Sequence, residues 1–351
     1  MTARISLLAL VPLALGTATA SLAQIVVSQP SRPPAIGQPE LVKRLTTTVD
    51  SLAKIGEFSG VVVLAKDGVP VYQSAHGLAD RERSIPNNLQ TAFNLGSINK
   101  IFTQIAIRQL AAAGKLDLDA PLAKAWPDYP NKEVAQRVTI RQLLQHRSGI
   151  GGNIFAPPSG GKRNDIRRQQ DYLPLFVNEP LAFEPGTKQS YSNAGYVVLG
   201  LLVERSSGQD YYSYVRDHVF TPAGMTRTGS FAVDSLPPNT AIGYTRGEDA
   251  PPSAPLYSNH EELPGRGSSA GGGYSTADDL LKFLKSLREH RIPNGPPAGV
   301  GIAGGSGGMN AIVEGALPGG YDLVVLANLD PPAAERLARM TREWLGVTDQ
   351  D

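Results

Sequence analysis

The chain has 351 residues, 41% of them hydrophobic, and a formal net charge of +1. That is enough length to bury an ordinary core and too little charge to attract nucleic acid or anionic lipid. With no cysteine, a disulfide, a thiolate nucleophile and a thiolate metal site are excluded. The five histidines (His76, His146, His218, His260, His290) include no helical ligand pair, so no metal or other cofactor is expected. The expected partner is a small-molecule or peptide substrate.

Residues 1–23 carry one basic residue (Arg4), an apolar run from Ile5 to Leu15, and small residues ending at Ala23. This pattern predicts a secretory signal peptide, because the apolar run falls short of the roughly 20 residues that cross a bilayer. The mature protein is therefore expected to be periplasmic or secreted, with no stable membrane insertion. Cleavage removes only Arg4 among the charged residues and leaves no net charge. Residues 24–38, rich in Pro and Ser, read as a flexible arm.

Leu41, Val42, Leu45, Val49 and Leu52 recur with helical spacing and predict a first helix ending near Gly56. Two β-rich runs, Ser59 to Lys66 and Val69 to Ala75, flank Asp67-Gly68, a strong hairpin signal. Ile98 to Ala113 is apolar almost all round and stops at Gly114, which predicts a buried helix. Further helices are expected at Ile140–His146, Ala194–Arg205, Tyr211–Val219 and Thr276–Arg288, with irregular loops over Gly149–Asn164 and Glu248–Gly273. Near the end, Asn310–Glu314 and Tyr321–Asn328 read as paired strands around Pro318-Gly319-Gly320, followed by a terminal helix over Pro332–Leu345. Strands at both ends with helices between them predict an α+β fold: an antiparallel sheet built from the two chain ends, with a largely helical insertion. The expected division is a sheet domain of residues 39–95 plus 291–348 and a mainly helical domain of residues 96–290.

In Ser97-Ile98-Asn99-Lys100, residues three apart share a helix face, so hydroxyl and amine converge at a helix N-terminus. A serine is a poor nucleophile until a base takes its proton, and a lysine does so only if burial lowers its pKa. Ser51-x-x-Lys54 and Ser159-x-x-Lys162 fit the bare pattern too, but one lies inside an amphipathic helix and the other in a Pro/Gly loop. Tyr191-Ser192-Asn193 follows the Pro185-Gly186-Thr187 turn and precedes an apolar helix, unlike the similar Tyr129-x-Asn131 and Tyr257-x-Asn259. A phenol held against the lysine relays a proton, and an amide orients substrate or lysine.

At these residues the sequence resembles the serine β-lactamase and penicillin-binding group, in particular the class C branch that includes esterases and D-amino-acid peptidases. The resemblance runs from about Phe58 to Leu345. It includes Phe58-Ser59-Gly60-Val61-Val62, Leu95 to Lys100, Leu143-Leu144-Gln145-His146-Arg147-Ser148-Gly149, Tyr191 to Tyr196 and Ala270-Gly271-Gly272-Gly273-Tyr274-Ser275-Thr276. It implies a β-lactamase/transpeptidase-like fold with the active site between sheet and helices. It also implies a serine hydrolase that acts on an ester or amide through an acyl-enzyme on Ser97, with Lys100 and Tyr191 sharing the acid and base work and Asn193 contacting substrate. The family takes one oxyanion donor from the nucleophile's own N–H and another from a strand bearing Lys or His, a small residue, then Gly. Here Ile302-Ala303-Gly304 stands in that place, followed by Gly305 as the donor. Isoleucine supplies no charge for a substrate carboxylate, which favours an esterase or a different peptide specificity over an efficient β-lactamase. The short segment from Arg291 to Gly299 further suggests that a strand is missing before this motif.

Three competing readings remain. One is a weakly catalytic or non-catalytic penicillin-recognising sensor on the same fold. A second is an α/β-hydrolase using Ser269 in Gly267-Ser268-Ser269-Ala270-Gly271 with Asp278 and His290, although no strand precedes and no helix follows that serine. The third, a dinucleotide site at Gly299 to Gly304, has Pro296-Pro297 where a strand is required.

Overall fold

In the computed structural model, β-strand periodicity explains how one sheet comes to separate two apolar layers. The structure describes residues 35–247, 249–251 and 253–347; the expected signal peptide, 1–23, and most of the expected arm lie outside them. The elements that position the site are α1 (Gln38–Lys54), β1 (Gly60–Lys66), β2 (Val69–His76), α2 (Asn99–Ala112), α3 (Asn193–Ser207), α4 (Ala277–Arg288), β3 (Gly301–Ser306), β4 (Met309–Leu317), β5 (Tyr321–Ala327) and α5 (Ala333–Trp344).

The five strands form an antiparallel sheet in the order β2-β1-β5-β4-β3. Its centre joins the chain ends: β1 pairs with β5 from Gly60↔Ala327 to Lys66↔Tyr321. Successive side chains point to opposite faces. Val61 and Val63 of β1, with Val324 and Leu326 of β5, therefore join the inner cluster that holds Ile105, Leu199 and Leu284 of α2, α3 and α4. Their neighbours Val62, Leu64, Leu323 and Val325 face the outer cluster, closed by Leu41, Leu45 and Val49 of α1 and Ala334, Leu337 and Ala338 of α5. Burial on both faces is why these strands read as unbroken apolar runs. At the start of the described chain, the Ile36 N–H donates to the Trp344 carbonyl at 3.0 Å.

Asp67 and Gly68 both adopt positive φ, 51° and 79°, the geometry of a type I′ hairpin turn. Residues 289–300 contain no strand, so β3 is the sheet's edge. The helix expected over Tyr211–Val219 instead changes pitch, with an α-helical turn at Tyr211–Val215 followed by a π turn at Arg216–Phe220. Within the loop expected over 248–273, Tyr257–Ser258 pairs with Tyr244–Thr245 as a small hairpin. No helix among the described residues is long and apolar enough to cross a membrane.

Candidate active site

Ser97 sits in a single 3-10 turn, Gly96–Ile98, that runs directly into α2. The backbone here is crowded on two sides. A Cβ on Gly304 would lie 2.0 Å from the Leu95 carbonyl oxygen and 2.9 Å from the Ser97 nitrogen, so only glycine lets β3 approach the nucleophile turn. Gly96 (φ 50°) makes the reciprocal approach, its Cβ position being 3.0 Å from the Gly305 nitrogen. On the other side the glycine-rich loop wraps the same turn: the Leu95 N–H donates to Gly273 at 2.7 Å and the Gly272 N–H to Gly96 at 3.2 Å.

That loop delivers a main-chain acceptor to Lys100. The Lys100 amine bonds to the Ala270 carbonyl, to Asn193 Oδ1 at 2.8 Å and to Ser97 Oγ at 3.1 Å. Lys100 is 5% exposed, and burial pulls its pKa down to about 7. The Ala270 and Asn193 oxygens only accept hydrogen bonds. They take the two hydrogens of a neutral amine and leave its lone pair facing Ser97.

The third vertex is Tyr191, whose hydroxyl lies 2.6 Å from Ser97 Oγ. Partial burial raises its pKa, so at neutral pH the phenol keeps its proton and donates to the serine oxygen. The Ser97 hydroxyl in turn donates to Lys100. Asn193 and Tyr191 are brought together because Ser192 between them caps α3, accepting the Gly195 N–H at 2.9 Å and donating to the Ile150 carbonyl at 2.6 Å.

His146, within the Leu143–Gly149 stretch, lies against this triad. Its ring stacks on Tyr191 on one side and on Tyr196 at 4.9 Å on the other. Its carbonyl accepts the Ser190 N–H at 2.8 Å, and its Nδ1 accepts the Ser192 N–H at 3.1 Å. Residue 191 is thus gripped on both flanks. Burial, together with the neighbouring Lys100 charge, lowers the His146 pKa; in the neutral ring the proton is on Nε2. Spacing in the sequence carried no signal for this grip, nor for the Ala270 carbonyl.

Ser97, Asn193 and Gly305 open into one cleft of about 1320 Å³, which Phe155, Arg246 and Tyr257 also line. Gly304 lies beside the Ser97 nitrogen, while Ile302, on the same face of β3, packs on the inner core. The decoy motifs lie elsewhere or face the cleft differently. The Ser51 hydroxyl bonds to Thr47 within α1, Ser159 and Lys162 are exposed, and Tyr129 is buried against Trp126. Tyr257 and Asn259 line the cleft from the small hairpin. Ser269 is fully buried, its hydroxyl taken up by Gln169 and the Tyr196 carbonyl, which removes it as a nucleophile.

Residues 45–299 match the family model described as Beta-lactamase. The putative penicillin-binding protein PbpX of Bacillus subtilis is 32% identical over 241 residues, covering 69% of this chain and 57% of the relative. Esterase EstB of Burkholderia gladioli is 31% identical over 341 residues, covering 88% of this chain and 85% of its own. Among solved structures, a penicillin binding protein from Bacillus halodurans superposes with a TM-score of 0.71 at 32% identity, covering 83% of this chain and 98% of that one.

Proposed function

The chain belongs to the beta-lactamase family, and from that premise we propose that it is an exported serine hydrolase that cleaves an ester or amide through an acyl-enzyme on Ser97. The observation that carries this reading is the hydrogen-bond arithmetic at Lys100: a buried amine with two obligate acceptors and one serine hydroxyl is a base aimed at a nucleophile.

In the first half-reaction Lys100 takes the Ser97 proton as Oγ attacks the substrate carbonyl. The oxyanion is received by the N–H groups of Ser97 and Gly305, and Tyr191 gives a proton to the leaving group. Water, deprotonated by the same pair, then attacks the acyl-enzyme, releasing the acid and restoring the serine. Asn193 holds Lys100 in position and borders the substrate. Ile302 leaves the strand motif without a cation, which favours ester substrates, as with the relative named Esterase EstB.

Intact-mass measurement during reaction with p-nitrophenyl butyrate tests the proposal. A transient butyryl adduct on the wild type that is absent from Ser97→Ala is the expected result. A permanent adduct would instead favour a penicillin-recognising sensor, and none at all would remove the acyl-enzyme.

A further inference from the structure

Arg246 stands in the small hairpin turn after Thr245 and lines the same cleft as Ser97 and Gly305. Among the described residues its buried Nε has no hydrogen-bond partner and no ion pair engages its guanidinium. Apart from Glu261, the other charged groups of the cleft have partners. Arg336 is paired with Glu57, and Arg163 donates to the Glu262 carbonyl at 2.9 Å. The Asp330 carboxylate accepts the backbone N–H groups of Gly308 at 2.7 Å and of Arg246 itself at 3.0 Å. Glu262 accepts from the Tyr257 hydroxyl at 2.9 Å. Glu261 also lines the cleft and opposes an anion there. A planar guanidinium with a buried, unmet Nε–H suits a carboxylate.

The hairpin is fixed relative to β3. Asn259 donates to the Gly307 carbonyl at 2.7 Å, and a Cβ on Gly307 would lie 3.2 Å from Thr245 Oγ1. From Gly304, beside Ser97, to Gly307, in the turn after β3 and beside Thr245, the chain advances three residues, about 10 Å. β3 is the sheet edge, and an edge in a cleft accepts an extended ligand alongside it. With the leaving group toward Tyr191 and the oxyanion toward Ser97 and Gly305, the acyl chain is left to run along β3 toward Arg246.

We infer that Arg246 binds a carboxylate at the far end of the substrate's acyl portion, several bonds from the reacting carbonyl. The preferred substrates are half-esters or half-amides of dicarboxylic acids, or acyl peptides with an acidic side chain at that distance. The cation missing at Ile302 is supplied from another element and at another place in the cleft. This inference rests on Ser97 being the acylated residue.

The test compares three p-nitrophenyl esters at pH 7.5, of adipic acid (carboxylate end), adipamic acid (neutral amide end) and 6-aminohexanoic acid (ammonium end). Ratios of kcat/KM within one enzyme are independent of its folded fraction. The wild type should favour the carboxylate over the amide by about tenfold or more. Arg246→Gln should abolish that ratio, and Arg246→Glu should shift preference to the ammonium end. Hydrolysis of the neutral ester without a carboxylate preference, or a preference that survives Arg246→Gln, overturns the inference while leaving Ser97 chemistry intact. Failure to cleave any of the three, with no adduct on Ser97, defeats the underlying reading and the inference together.

Discussion

The imidazole of His146 lies parallel to the ring of Tyr191, 4.6 Å between centres and 28° between planes, while its own backbone sits at a φ of 56°. A non-glycine residue is strained in that region, and asparagine tolerates it better than most. The strain coincides with the grip on Ser190 and Ser192, so the imidazole holds Tyr191 toward Ser97.

His146→Leu should therefore lower kcat by about ten- to hundredfold with a smaller change in KM, as expected for a displaced proton donor. His146→Asn, which keeps an acceptor and suits the backbone, should recover part of the loss. Steady-state kinetics of the two variants, with thermal melts to compare folding, check this; equal losses in both would remove the positioning role.

The pH dependence follows from Lys100. In the proposed mechanism its free base is the working form, and burial lowers its pKa to about 7. Hydrolysis of a neutral ester should then rise about tenfold per pH unit below 7 and level off above it. A rise that continues past pH 9 would mean that the amine keeps its usual value near 10.5.

Stability carries the same signature. The folded chain holds this amine below its unfolded value, so folding is penalised fully below pH 7 and progressively less as pH climbs toward 10.5. Compared with Lys100→Met, the wild type should gain stability over that interval. Urea unfolding of both proteins at pH 6.5 and pH 9.5 measures the slope, and a gap that does not move contradicts it.

Gly304→Ala places a methyl group 2.0 Å from the Leu95 carbonyl oxygen and 2.9 Å from the Ser97 nitrogen. Both obstacles are backbone, so β3 or the nucleophile turn must shift, and an oxyanion donor moves with it. A loss of about 10²- to 10³-fold in kcat is expected. Single-turnover kinetics should place that loss in acylation; near-wild-type acylation would show that the donor lies elsewhere.

A fifth prediction concerns the fold alone. Asp322, 1% exposed, accepts two bonds at 2.8 Å from Arg288 and one at 3.1 Å from the Ala316 N–H. Asp322→Ala leaves a half-buried guanidinium and a backbone donor unmet, which should cost about 2 to 3 kcal/mol. The urea midpoint should fall at constant slope.

Much of this was legible in the sequence because it was written locally. The Asp67-Gly68 turn, the apolar run of α2 and the three-residue spacing of Ser97 and Lys100 each depend on neighbours along the chain. The sheet was legible from the continuous apolar runs at both ends. What escaped was contributed by distant segments through groups every residue possesses or through a single side chain. The Ala270 carbonyl has no side-chain signature. The grip of His146 on residues 190–192 exists only after α3 has docked. The pairing of Tyr244–Thr245 with Tyr257–Ser258 involves too few residues to impose a period of two.

The pairing of β1 with β5 has a consequence for how the polypeptide is made. The central partner of β1 lies at the far side of the helical part in sequence, so while everything between them is synthesised a strand apolar on both faces has only β2 beside it. Such a nascent chain must be kept from self-association until β5 has been made. It also means that a product shortened ahead of Tyr321 would lack the middle of its sheet, and with it the support for the strand that borders the nucleophile.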